Sequence, residues 1–204
     1  MERLLVARHA ESEYSVRGML NGDPSIVVSL TEEGRAQARR LGETLAAEPI
    51  DVCAVTQFAR TRETAELALA GRDVPIVVVA ELNDHPSGTY EGRPLDEYLE
   101  WAHAAGPLDV IPGGTDTRAA VVERFARGFR ILAERPEAVV LAILHSLPIA
   151  YLLAAVEGRD PATRMGMLPY AEVKPLSAGE VETGVDRLER WRASLSLERG
   201  MSEA

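Results

Sequence analysis

The chain of 204 residues contains a single cysteine, Cys53, which rules out a disulfide framework and any cysteine-rich metal site. It lies in the apolar run IDVCAVT, where a buried, inert thiol is expected. A P-loop of the form G-x-x-x-x-G-K-[ST] is absent, and so is H-E-x-x-H. The H-x-E at His9 to Glu11 lacks the later P-C-x-x-C that a zinc deaminase needs. No apolar run reaches the length of a membrane span, and no charged-then-apolar leader precedes the first strand, so a cytoplasmic location is expected. Positive charge is also short. With 32 acidic against 22 basic residues the formal charge is −10, which argues against a nucleic-acid or anionic-membrane surface. An anionic ligand would therefore need a local basic pocket. Lysine is reduced to Lys174 alone, and so general an arginine bias reads as compositional. Internal repeats and low-complexity segments are missing too.

What remains is an ordinary globular composition, 46% hydrophobic and 26% charged, in a chain long enough for one sizeable core. A single domain over 1–204 is expected. Strand-like runs cover residues 3–7, 50–56, 74–80 and 138–144, with an edge strand over 167–175 that has Pro169 near its start. Between them lie helical patterns. One starts at the Thr31 cap, carries Ala38, Leu41 and Leu45 on one stripe and ends at Pro49; the next spans 61–70; a short one carries Leu95, Tyr98, Leu99 and Ala102. The longest is expected to be capped by Thr115 or Asp116, to repeat Val122, Phe125, Phe129 and Leu132, and to close at Pro136. Another tolerates Pro148 in its first turn, and a last one over 186–197 turns Leu188, Trp191 and Leu195 inward. Segments 13–29, 83–94 and 106–114 read as loops. Alternating strands and helices predict an α/β fold, a three-layer α/β/α sandwich with a mostly parallel central sheet.

The first strand delivers Arg8 and His9 at its carboxyl end, where open α/β sheets place their ligands. A guanidinium beside an imidazole, followed by Glu11 and Ser12, suits the handling of an anion. An arginine and a histidine at a strand end are more often a solvated edge, and on their own decide nothing. Three further stretches carry matching chemistry in order: Arg60 in FARTRETAEL, Asp84 in ELNDHPSGTYEG and His145 in VVLAILHSLPIA.

The segment R-H-A-E-S resembles the R-H-G-E-[ST] signature of the histidine phosphatase superfamily, branch 1, whose fold is phosphoglycerate mutase-like. Leu30-Thr31-x-x-Gly34 is similar to its L-T-x-x-G, FARTRETAEL to its L-x-R-A-x-x-T-A, LNDHPSGTYEG to its L-x-E-x-x-x-G-x-x-E-G, GGTD to its G-G-E-S, and VLAILHSLPI to its V-x-V-[ST]-H-G-x-x-I. The resemblance implies a phosphatase acting on a small-molecule phosphomonoester without cofactor or metal, through a phosphohistidine at His9. It implies that Arg8, Arg60 and His145 bind the phosphate oxygens and that Asp84 protonates the leaving group, then activates water. Ser15 stands near the phosphate where many members have asparagine, and Ser146 follows His145 where they have glycine. Loose phosphoryl-transfer transition states need positioning and cationic stabilisation, which these groups supply. The proton donor is expected to have its pKa raised by burial or by the phosphate.

Some positions depart from the pattern. Ala10 adds a Cβ beside His9, Ser146 does so beside His145, Leu144 replaces a small polar residue, and Asp84 is a methylene shorter than glutamate. A phosphoglycerate mutase is the nearest alternative, although His85-Pro86-Ser87 stands where mutases carry R-H-Y. Another alternative is a phosphate-binding regulatory protein with little turnover; a third is a serine hydrolase using Ser12 or Ser146, which lacks the flanking glycines of a nucleophile elbow. His85 is read as either bordering the pocket or solvated, and His103 and Arg62 as surface residues. Tyr90, Tyr98 and Trp101 are read as core packing, although in the superfamily this region often lines the substrate side. A homodimer is left open.

Overall fold

The computed structural model describes residues 1–202, with the side chains of the last helix through Ser196. Its centre is a five-stranded sheet of β1 (Arg3–Arg8), β2 (Val52–Val55), β3 (Ile76–Val78), β4 (Val139–Leu144) and β5 (Val173–Ser177) in the order β3-β2-β4-β1-β5. Strands β1 to β4 are mutually parallel and β5 runs antiparallel along β1. Helices α1 (Glu13–Val16), α2 (Glu32–Thr44), α3 (Ala59–Ala68), α4 (Leu95–Ala104), α5 (Arg118–Ala133), α6 (Ser146–Val156) and α7 (Ala178–Ser202) connect and cover it.

The pleat explains why the strands read as continuous apolar runs. On one face Leu4, Val6, Val140 and Ala142 meet Phe125, Phe129 and Leu132 of α5, Leu152 of α6 and Val185 and Leu188 of α7. On the other, Leu5, Ala7, Leu141 and Ile143 meet Leu41 of α2 and Ala65 and Ala68 of α3. All six residues of β4 are buried, because it is covered on both faces and paired on both edges. Cys53 is fully buried on the second face, and burial pushes its thiol up to about 12, consistent with the inert reading.

Several expected boundaries move. Thr117, not Thr115 or Asp116, caps α5, its hydroxyl accepting from Ala120 N at 3.1 Å. The longest helix is α7 with 25 residues, against 16 in α5. It begins well before residue 186 and runs through Gly184, which breaks the apolar pattern for a packing reason: a Cβ there would lie 2.8 Å from Leu152 Cδ1 of α6. The expected edge strand over 167–175 pairs only from Val173, and Pro175 is tolerated because β5 is an edge strand. The loop after His9 opens with α1, whose Ser12 and Ser15 form a reciprocal capping box.

Candidate active site

Strand register assembles the site. Arg8 pairs with Leu144, and His9 N donates to Leu144 O at 2.8 Å, so the residues leaving β1 and β4 emerge side by side. The rings of His9 and His145 stand edge to face, their centroids 5.4 Å apart. The first turn of α3 contributes Arg60, and the chain beyond β3 returns Asp84 to the same place. Arg8, His9, Arg60 and His145 are all buried.

Hydrogen bonding sets the protonation pattern. His9 Nδ1 lies 2.7 Å from Ala10 O, and a carbonyl only accepts, so Nδ1 carries the proton and Nε2 keeps its lone pair. Arg60 Nε donates to that Nε2 at 3.1 Å. Arg60 Nη2 donates to His145 Nδ1 at 3.1 Å, which leaves His145 Nε2–H to donate to Thr56 Oγ1 at 3.0 Å. The same Nη2 is 3.4 Å from Asp84 Oδ2. Arg8 Nη1 donates to Leu168 O at 2.6 Å and its guanidinium lies 3.9 Å above the Tyr170 ring, while its buried Nε has no partner.

Burial, helped by the Arg60 charge, holds His9 well below its ordinary 6.5, and burial holds His145 low against the pull of Asp84. Both imidazoles are neutral at pH 7. Burial also draws Arg60 down to about 10 and lowers Arg8, yet both remain cations at neutral pH. At Asp84 opposing influences meet. Burial does push its carboxyl up, but His145, His85 and Arg60 outweigh it and hold the group well below the usual carboxylate range. Two guanidiniums and one carboxylate leave a net positive corner in a chain whose formal charge is −10.

Of the other expected residues, Ser15 lines the cleft, but its hydroxyl donates to Ser12 O at 2.9 Å and accepts from Ser12 N at 2.8 Å. Ser146 also lines the cleft; its Oγ accepts from Leu168 N at 2.9 Å and so anchors the segment that contacts Arg8. Ala10 crowds nothing. Its backbone does not have positive φ, its N donates to Thr64 Oγ1 at 3.0 Å, and it is fully buried beside Leu30 and Ala38. Leu144 belongs to the sheet core. His103 and Arg62 are exposed as expected. His85 borders the cleft, with Nδ1 3.2 Å from Asp84 Oδ1 and its ring against Tyr98. Tyr98 and Trp101 line the cleft and stack with Tyr90, rather than filling the core, so that expectation is corrected: α4 buries no residue fully.

Sequence reasoning missed Asn21. Arg60 Nη1 donates to its Oδ1, and Arg60 Nη2 to its carbonyl at 3.2 Å; Glu91 holds this loop through Gly22 N at 2.7 Å. Arg124, also missed, donates to Asn83 O at 2.6 Å and Asp84 O at 2.9 Å, fixing the backbone that carries the acid. Nothing in an Asn-Gly-Asp-Pro turn, or in an arginine on a helix, announced these roles.

The cleft has a volume of about 240 Å³. Among the described residues no group of three or more His, Cys, Asp or Glu is placed to hold a metal ion, and no helix is long and apolar enough to cross a membrane.

Known proteins share this architecture and sequence pattern. The chain is 40% identical over 91 residues to the adenosylcobalamin/alpha-ribazole phosphatase of Salmonella typhimurium, a match covering 45% of this chain and 44% of that protein. It is 30% identical to the 2,3-bisphosphoglycerate-dependent phosphoglycerate mutase of Methylobacterium sp., covering 97% of this chain and 96% of the relative. The crystal structure of the alpha-ribazole phosphatase from Shigella flexneri superposes with a TM-score of 0.74 at 23% identity, over 85% of this chain and 89% of the other, which shows the fold. The pattern of the histidine phosphatase superfamily (branch 1) matches residues 4–192, and the chain belongs to that superfamily.

Proposed function

We propose that the protein hydrolyses a small-molecule phosphomonoester through a phosphohistidine at His9. The observation that carries this reading is the His9 Nε2 lone pair, left unprotonated by the Nδ1–H bond to Ala10 O and held by a hydrogen bond from Arg60 Nε that an incoming phosphate can displace. The ester phosphate takes the place of the internal contacts of Arg60 and supplies the missing partner of Arg8 Nε, so that both guanidiniums bind its equatorial oxygens. Removing Arg60 from Asp84 and adding phosphate charge beside it both raise the carboxyl, so Asp84 reaches the protonated form that a donor needs. His9 Nε2 attacks phosphorus as the bond from phosphorus to the leaving oxygen breaks, and Asp84 gives that oxygen its proton. Asp84, again a carboxylate, then takes a proton from water; the water oxygen bonds to phosphorus, the N–P bond breaks, and neutral His9 and phosphate result. The arginines supply the charge, so no metal enters this scheme.

A mutase reading is favoured by the 30% identity to the Methylobacterium enzyme. It differs in passing the phosphoryl group to a second phosphorylated substrate instead of water.

The test is phosphate release from 4-nitrophenyl phosphate and a panel including alpha-ribazole phosphate and 3-phosphoglycerate, in excess chelator. Turnover by the wild type, none by His9→Ala, and an acid-labile phosphoenzyme in the wild type alone are expected. Turnover that survives His9→Ala, or that stops with chelator, overturns the reading. Turnover only with a bisphosphoglycerate activator moves it to the mutase.

A further inference from the structure

The cleft contains a cation that the chemistry at His9 does not use. Arg118, the first residue of α5, lines the same cleft as His9 and Asp84. Among the described residues its guanidinium forms no hydrogen bond or ion pair, and its Nε is buried without a partner. Only Arg8 and Arg187 otherwise have such an Nε among the described arginines. Arg187 is compensated by Asp160 at 2.9 Å, and Arg8 by Leu168 O and Tyr170. A half-buried guanidinium with no counter-charge is costly, and in a chain with ten more acids than bases a carboxylate partner was readily available. Asp109, also on the cleft wall, instead accepts from Gly106 N at 2.7 Å.

The position of Arg118 is as informative as its isolation. The backbone of Ala119 is tied to Pro107 O at 2.9 Å, which sets the start of α5 against the loop following α4. The Arg118 charge is felt at the phenols of Tyr98 and Tyr151, while Tyr98 also feels Asp84. The lining of the cleft also includes apolar side chains: Leu99, Trp101, Ile111, Leu147 and Met165. The cleft thus carries Arg8 and Arg60 beside His9, and Arg118 at the start of α5, among apolar and aromatic side chains.

Resting on the phosphomonoesterase reading, we propose that Arg118 receives a second oxyanion of the substrate, carboxylate or phosphate, apart from the reacting phosphate. The guanidinium fork suits either group, and the orphaned Nε with one Nη supplies the pair of parallel donors that such groups accept. The substrate class is a phosphomonoester with a second anionic end, and Arg118 is its specificity determinant.

The experiment compares phenyl phosphate with 4-carboxyphenyl phosphate and its homologues carrying the carboxylate on one or two methylenes, in wild type, Arg118→Gln and Arg118→Lys. For the best-fitting homologue the wild type is expected to show kcat/KM on the order of tenfold or more above phenyl phosphate, as a charge-assisted contact gives, with the difference in KM. In Arg118→Gln the ratio between the two substrates falls to about one, and in Arg118→Lys part of it returns. Equal kcat/KM for all homologues and phenyl phosphate in the wild type, or a ratio that survives Arg118→Gln, overturns the proposal. If neither phenyl phosphate nor any of the carboxylated homologues is hydrolysed, the phosphatase reading fails. Calorimetry with benzylphosphonate against 4-carboxybenzylphosphonate and its homologues then reads the Arg118 contact without turnover: tighter binding of a carboxylated ligand, lost in Arg118→Gln, supports it, and equal binding ends it.

Discussion

Acidification should destabilise this protein earlier and more steeply than an ordinary carboxylate titration would. The fold holds His9 and His145 neutral, chiefly by burial. A histidine whose pKa is lowered on folding binds fewer protons in the native chain than in the unfolded one. Its contribution to stability is therefore complete above the unfolded value near 6.5 and is lost as the pH falls below it. An unfolded imidazole passes from about one-tenth protonated at pH 7.5 to about nine-tenths at pH 5.5, which costs about 1.4 kcal/mol per buried histidine that stays neutral. The pair gives about 2.7 kcal/mol, a large part of the roughly 5 to 15 kcal/mol available to a typical domain. Asp84, also lowered on folding, adds its own loss only below about pH 4, so it does not blur this window. Urea denaturation at half-unit steps from pH 7.5 to 5.5 measures the effect as a falling midpoint. His9→Gln should lose about half of the pH dependence, because comparing each variant with itself across pH cancels any change in its baseline stability. A midpoint that stays level over this interval, or a slope unaltered in His9→Gln, would refute the burial argument.

Three further outcomes are expected. Asp84→Asn should slow alkyl phosphates by about a hundredfold or more and 4-nitrophenyl phosphate much less, since a good leaving group needs no proton; a leaving-group series measures this. Ser146→Ala removes the acceptor for Leu168 N, should cost about 1 kcal/mol, and should raise KM by loosening the carbonyl that holds Arg8; faster amide exchange over residues 165–171 would accompany it. Gly34→Ala would place a Cβ 2.0 Å from Glu11 O, a backbone atom that cannot swing aside, and should cost about 2 to 4 kcal/mol by chemical denaturation.

Most parts of the site legible in the sequence share one property: they sit at the ends of regular elements. The apolar runs before His9 and His145 report their own burial, and the parallel order of the strands makes the following residues neighbours. Arg60 followed from the same logic one element later. Asn21, by contrast, acts from an irregular loop through both its side chain and its carbonyl, and a backbone acceptor leaves no mark on residue type. The aromatic residues of α4 were misread because helical spacing gives a stripe but not what the stripe faces; the wall of an empty cleft and a core look alike in one dimension. Asp84 was legible as an acid but not as an ionised one, since its state depends on His145 and Arg60, brought from distant positions, as well as on its neighbour His85. The early start of α7 was hidden by two glycines, one of which serves close helix contact.

The place of β1 in the sheet has a consequence for synthesis. Its two neighbours are β4 and β5, so Arg3 waits for Val139 on one side and Ser177 on the other. At about 5 to 20 residues per second a ribosome needs on the order of ten seconds to supply the first of these partners. Throughout that interval an apolar segment bearing His9 has no strand to pair with. The nascent chain must keep Leu4, Leu5 and Val6 from other unpaired strands, by transient cover from α2 and α3 or by a chaperone, and its reactive corner can form only when the last third of the chain arrives.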